Sequence, residues 1–239
     1  SSGGCDVILR GRSGVANTQA DGFGSQRAVV IDSGSGTIQI EGDQVATGGG
    51  VGLRFGNLDY YPDVAITSGS TSTPAIEIIG TSVNNRGVWL GDGVGDSSPA
   101  GTVLLQTTAN SGGGIILEGS SSRTSGNTPG IDLRGTDTDG FQEYQFLSNN
   151  GSIQFLSKRD TTNSEIRIRS ETYLGQRKDS TAVQGVSPIT GGSSVTTTLR
   201  ADAGVYFSSS VFGTGSVEVY PYTSGQSIGV ESSGDFEVH

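Results

Sequence analysis

Apolar-x-apolar pairs recurring at near-regular intervals constrain this chain more than any other feature. One series falls at Leu53/Phe55, Ile76/Ile78, Val103/Leu105, Ile131/Leu133 and Ile153/Phe155, with steps of 23, 27, 28 and 22 residues. A second falls between them at Val64/Ile66, Val88/Leu90, Ile115/Leu117, Tyr144/Phe146 and Ile166/Ile168, with steps of 24, 27, 29 and 22. An apolar residue at every second position is the period of a strand with one buried face. The residue between, as in Arg54, Glu77, Asp132, Gln154 and Arg167, is then expected to face water. The two series stretch and shrink together, so the spacing predicts a repeat of strand, turn, strand, turn. About five such units of roughly 25 residues cover 51–170, a length typical of stacked repeats. An ordinary sandwich also accommodates strands at this spacing.

Composition decides between order and disorder. With 40 glycines, 32% hydrophobic residues and no methionine, a shuffled chain of this kind approaches the disordered class. Here the apolar residues are clustered in β-branched and aromatic runs such as VVI, TIQI, AIEII, SIQFL and EIRIRS, which suit a pleated, half-buried surface. So thin an inventory, spread evenly, fills a narrow core running along an axis. The expected fold is all-β: an elongated repetitive β structure, either β-helix-like or an intertwined trimeric β shaft. No apolar 3.6-residue period persists over ten residues, so essentially no helix is expected. Strands run into glycine in LRFG, IEIIG, WLGDG, ILEG and DLRG, where a missing Cβ permits a sharp or left-handed corner.

The same pattern divides the chain. Residues 1–50 carry VILRG, AVVID and TIQIEG and read as an N-terminal β segment or attachment region. Residues 51–170 are the repetitive region, and 171–194 read as a linker or long loop. Residues 195–239 resume the pattern with more aromatics and read as a small C-terminal β region, a cap or a separate small domain.

The formal net charge is −10, and the 14 Lys and Arg residues are scattered singly. Nucleic acids and anionic membranes are bound through clustered cations, so neither is an expected partner. No stretch approaches a membrane-spanning helix, and no signal peptide is visible. The sole cysteine, Cys5, precludes an intramolecular disulfide. A chain that begins with Ser and lacks Met is expected to be a processed form, a fragment, or the ordered part of something longer.

Chemistry-bearing residues are sparse. The one histidine is His239, so Ser-His-Asp and Cys-His catalysis and multi-histidine metal sites cannot be assembled within one chain. Two carboxylates suffice for glycoside hydrolysis. The stretch LDYYPD sets Asp59 and Asp63 beside Tyr60 and Tyr61, a pairing that suits sugar contact and equally suits a turn ended by Pro62. Asp137 and Asp139 with Gly140 match part of a calcium loop that Glu143 could join, but Arg134 stands where another acid is wanted, and a β-turn explains the same residues. Asp92 and Asp96 in GDGVGDSS pose the same choice. Trp89 occupies an in-between, outward position of its strand, a candidate glycan or subunit contact, or else is buried on both faces between chains. The expectation is a non-enzymatic protein with no confident cofactor; calcium at Asp137, Asp139 and Glu143 is the only metal with candidate ligands.

Taken with TPAIEIIGTSVNNRGVWLGDG and TPGIDLRGTDTDGFQEYQFLSNNGSIQFLS, this composition resembles the β-structured shafts and appendages of bacteriophage tail fibres, tailspikes and related virion fibres. The resemblance is compositional and periodic and covers most of 51–170. It implies a homotrimer whose chains pack along one axis, burying their apolar faces against one another and closing strand edges. It further implies a structural and adhesive role at the virion surface or outside the cell, partnered by other virion or filament proteins and by a host surface glycan. Two alternatives stand: a subunit of an extracellular bacterial or archaeal filament or adhesin, joined by a strand exchanged from the polar N-terminal arm, and a single-chain β-helix that degrades polysaccharide.

Overall fold

In the computed structural model the chain winds into a three-sided parallel β-helix. The structure describes residues 3–14, 20–25, 27–56, 63–91, 101–123, 128–134, 143–159, 165–175, 182–186, 189, 195–202, 204–213, 215–225 and 230–232. Among these residues there are twenty strands and no helix.

The first sheet stacks β1 (Val7–Ser13), β4 (Ile38–Gln44), β7 (Ile76–Ser82), β10 (Ile115–Ser121), β13 (Ile153–Arg159), β16 (Thr197–Ala201) and β19 (Val217–Tyr220). The second stacks β2 (Phe23–Ser25), β5 (Leu53–Phe55), β8 (Val88–Leu90), β11 (Ile131–Leu133), β14 (Glu165–Ile168), β17 (Gly204–Phe207) and β20 (Val230–Ser232). The third stacks β3 (Val29–Asp32), β6 (Val64–Ser68), β9 (Thr102–Thr107), β12 (Glu143–Ser148), β15 (Thr172–Leu174) and β18 (Val211–Gly213). Each strand pairs in parallel with the strand three places along the chain, so three strands make one coil. At about 4.8 Å between paired strands, seven coils span on the order of 30 Å along the axis.

The expected apolar pairs are all strands, but the two-strand repeat is corrected to a three-strand one. Ile76 lies beside Ile115, and Ile115 beside Ile153, whereas Val103, the next member of the series that contains Ile76, belongs to a different sheet. The physical reason is that strands of all three sheets present the same in-out alternation. Periodicity of burial therefore marks where strands are without marking which sheet they join. The intertwined shaft is corrected as well: the apolar pairs meet within one chain, not between chains.

The core is a stack of matched rows. Val7, Ile38, Ile76, Ile115, Ile153, Thr197 and Val217 form one, and Leu9, Ile40, Ile78, Leu117, Phe155, Leu199 and Val219 the next. Coils between the two ends bury these side chains almost completely. Phe146 packs edge-on against Phe155 with ring centroids 5.0 Å apart, and the Tyr144 hydroxyl lies 2.5 Å from the Leu90 carbonyl oxygen and 2.8 Å from that of Arg134.

Glycine has two separate uses. Gly56 and Gly91, which follow β5 and β8, have φ of 104° and 80° and are the left-handed corners expected of LRFG and WLGDG. Gly80 and Gly119 of IEIIG and ILEG lie instead inside strands, in register with Gly42 and Gly11. There the backbone leading to the second sheet passes so closely that a Cβ on Gly80 would sit 2.2 Å from the Gly87 carbonyl oxygen, and one on Gly119 2.0 Å from that of Gly130. At the corner between the third and first sheets, Ser68, Thr107 and Ser148 form an internal hydroxyl column, with Thr107 Oγ1 2.9 Å from Ser148 Oγ.

Strand pairing continues across residue 50 through β4–β7 and across 171–194 through β13–β16, so the first and last strands extend the same three sheets.

Candidate functional site

Among the described residues, the densest arrangement of charge and aromaticity is on the outer face of the second sheet. Register places Arg54, Trp89, Asp132, Arg167 and Tyr206 in one outward row along β5, β8, β11, β14 and β17. Because parallel neighbours stand about 4.8 Å apart, outward side chains cover one another. This is why Asp132, expected to face water, is 0% exposed.

Two guanidinium groups hold Asp132. Arg86, entering β8, donates from Nε to Oδ2 at 2.5 Å. Arg169, leaving β14, donates from Nη2 to Oδ2 at 2.6 Å and to Oδ1 at 2.8 Å. Burial lowers the affinity of Arg86 for its proton, and the facing Asp132 carboxylate opposes that shift, while Arg134 and Arg169 add repulsion. The Arg86 guanidinium also lies over the Trp89 ring, 4.1 Å from its centroid, with that of Arg54 at 5.7 Å. Arg54 is anchored to Asp21 at 2.7 Å, and Arg167 Nε to Glu165 at 2.8 Å. With both oxygens of its buried carboxylate occupied by guanidinium donors, Asp132 is placed to clamp adjacent coils together.

The outer face of the first sheet carries ladders of another kind. Arg10 reaches Glu41 at 2.6 Å and Gln39 at 3.2 Å, and Gln39 reaches Glu77 at 2.8 Å. Asp43 lies between Arg12 at 3.4 Å and the Thr81 hydroxyl at 2.5 Å, and Lys158 pairs with Glu118. Each of these contacts joins one coil to the next.

Part of the outer face of the third sheet is covered by the chain itself. Val183, Val186 and Ile189 pack over Ala65, Leu104 and Leu147. The Ile189 N–H donates to Gln106 Oε1 at 3.1 Å, and Gln184 donates to Asp63 Oδ2 at 3.1 Å. A segment read from the sequence as a linker thus contains a strap along the column.

The sequence candidates divide accordingly. Asp59, Tyr60, Tyr61, Asp92, Asp96, Asp137, Asp139 and His239 lie outside the described residues. Asp63 accepts the Thr102 N–H at 2.9 Å in addition to the bond from Gln184. Glu143 opens β12 and accepts a hydrogen bond from Gln145. Trp89 faces outward, as its position implied, but is 8% exposed and covered by arginines of its own chain. Its indole N–H has no hydrogen-bond partner among the described residues. Cys5 is exposed as a free thiol. Among the described residues no three His, Cys, Asp or Glu side chains gather as a metal site.

Sequence reasoning missed the pairing of Arg86, Asp132 and Arg169, because their sequence separations of 46 and 37 residues carry no motif. The available signal was an acid at an outward strand position flanked by arginines one coil away on either side, visible only once the coil length is known. Comparison with protein-family models, curated proteins and solved structures gave no match.

Proposed function

We propose that this chain is a structural and adhesive segment of a virion or extracellular fibre, a rigid β shaft that holds or presents a receptor-binding surface. One observation carries the reading: charged and polar side chains of successive coils are tied to one another along the axis, as in Arg10–Glu41, Asp43–Thr81, Glu118–Lys158 and Arg86–Asp132–Arg169. Such cross-coil pairing stiffens a column lengthwise, which suits a load-bearing element. The acidity of the chain favours solubility when many copies are held close together. The partners in this reading are further copies, including a homotrimer of columns side by side, other virion or filament proteins, and a host surface glycan.

The test is incubation with a panel of bacterial surface polysaccharides, reading retention of the protein and the size distribution of the polymer. The proposal expects retention by at least one polymer and unchanged chain length. Shortening of any polymer would overturn the non-enzymatic reading in favour of polysaccharide cleavage. That activity would then be traced through substitution of Asp59, Asp63, Asp137, Asp139 and Glu143.

A further inference from the structure

The three sheets treat their outward side chains differently. The second and third bury some of them completely, as at Asp132, Ala65 and Leu104. On the first sheet every outward side chain of the described strands is exposed or half-buried. Its seven strands hold one register from β1 to β19, so these side chains form straight rows. One row runs Arg10, Glu41, Ile79, Glu118, Leu156, Arg200, Tyr220. In the row beside it Ile116 stands on β10, the central strand, with Ile79 and Leu156 diagonally on either side. Arg10, Arg12, Glu41, Asp43, Lys158 and Arg200 surround this apolar centre. Of the four large exposed hydrophobic residues, Ile8 at 56% and Tyr220 at 45% lie on the same face, and Val45 at 39% directly follows β4. An apolar centre inside a charged rim is the make-up of a protein interface.

We infer that this face docks a second copy of the chain, packed face to face with its column antiparallel, about a two-fold axis parallel to β10. Such an axis keeps each residue's position along its strand and reverses the order of the strands. β10 then faces itself, β7 faces β13, and β4 faces β16. The rows match themselves under this operation. Ile116 meets the partner's Ile116, Ile79 meets the partner's Leu156, and Glu41 meets the partner's Arg200, the last two contacts each occurring twice. Arg10 meets the partner's Tyr220, the ring that Arg200 already faces within the chain at 5.9 Å from its centroid. Glu118 meets its own copy, but each Glu118 is neutralised by Lys158 of its own chain.

The alternatives lack this match. Moving the axis by half a coil in either direction sets Ile79 against a charge, Arg200 or Glu118. Parallel columns, as in a side-by-side trimer built on this face, bring each coil to its own level in the partner and oppose Glu41 and Asp43 to acids and Arg10 and Arg12 to bases. With strands about 4.8 Å apart and outward side chains along a seven-residue strand, the face measures roughly 30 by 20 Å. Two copies then bury about 1,200 Å2 in all, the lower end of the range for specific interfaces. Facing backbones stand about 10 Å apart, as in packed sheets, so side chains alone make the contact. The interface is isologous and closes as a dimer. It lies on a side of the column and asks nothing of either end, and it holds whether or not the column carries an adhesive surface.

The test is a concentration series of the intact chain by sedimentation velocity and light scattering, with each variant checked for an unchanged β circular dichroism spectrum. The wild type is expected to show a reversible monomer–dimer equilibrium with nothing larger. Ile116→Lys places two ammonium groups on the axis and should weaken association at least tenfold. Glu41→Lys and Arg200→Glu should each weaken it about tenfold, and the two combined in one chain should restore it to within about twofold of wild type. That recovery is specific to the antiparallel pairing and separates it from a loss of folding. Val30→Lys, which changes an exposed apolar residue of the third sheet, should leave association unchanged. A wild type that stays monomeric at its solubility limit or forms trimers would overturn the inference. So would a dimer indifferent to Ile116→Lys, one weakened equally by Val30→Lys, or a combined charge variant no better than its two parents.

Discussion

At the scale of single residues, the two kinds of glycine make the sharpest contrast. Gly80 sits in an extended strand with no left-handed φ, so propensity alone would count Gly80→Ala as favourable. Its Cβ would lie 2.2 Å from a backbone oxygen, which no rotamer change relieves. The substitution is expected to destabilise the column by about 1–3 kcal/mol, the range of a strained core insertion, measured by urea denaturation. Asp132 makes the opposite argument from charge. Asp132→Asn leaves Arg86 and Arg169 facing each other around a neutral amide, and the loss should be about 3–5 kcal/mol. Asp6 is simpler: it accepts hydrogen bonds from the Thr37 amide and hydroxyl, which hold its carboxyl below the ordinary aspartate value of 3.8. A depressed folded value stabilises at pH above the unfolded value, and the contribution disappears as pH falls through the folded one. The difference in melting temperature between wild type and Asp6→Asn should therefore be present at neutral pH and vanish in acid below 3.8. None of these roles was legible beforehand. IEIIG announces a glycine without saying whether its φ or its missing Cβ matters, and the partner of Asp132 is one coil away.

At the scale of elements, the strands were legible and their partners were not. Every apolar-x-apolar pair between Leu53 and Ile168 became a strand because alternation reports burial directly. Three strands with few or no such pairs, β2 (FGS), β15 (TYL) and β18 (VFG), could be placed only by their neighbours in the sheet. Coil length, and with it the three-strand period, is set by the turns, whose lengths vary and carry no pairing code. The strap formed by residues 182–186 and 189 lies in a stretch that reads as a linker because Val183, Val186 and Ile189 are too few to form a periodic pattern, yet they cover Ala65, Leu104 and Leu147 on the outer face of the third sheet. Val183→Asp should release that strap at a cost of about 1–3 kcal/mol. Limited proteolysis should then show cutting between β15 and β16 at lower protease concentration, while the circular dichroism of the coils persists.

At the scale of the whole molecule, a scarce apolar inventory and a complete core are reconciled by geometry. A narrow three-sided column needs only two or three inward side chains per strand, and stacking like residues on like lets isoleucine rows fill it without large aromatics at every level. Elongation was legible from this composition. The closure of all three sheets within a single chain was not, since alternation is the same for strands that meet their own chain and strands that meet a neighbour. The central claim is that each chain closes its own column at three strands per coil, and cysteine cross-linking in a Cys5→Ser background tests it most directly. Glu77 and Ile116 are register neighbours on the outer face of the first sheet, so the Glu77→Cys, Ile116→Cys double variant should oxidise within one chain and run as a monomer on a non-reducing gel. Their strand spacing of about 4.8 Å falls in the range that permits a disulfide. Glu77→Cys with Leu104→Cys, the pair that a two-strand repeat would join, should remain reduced. Cross-linking of the second pair, or of the first pair only between chains, would contradict the account.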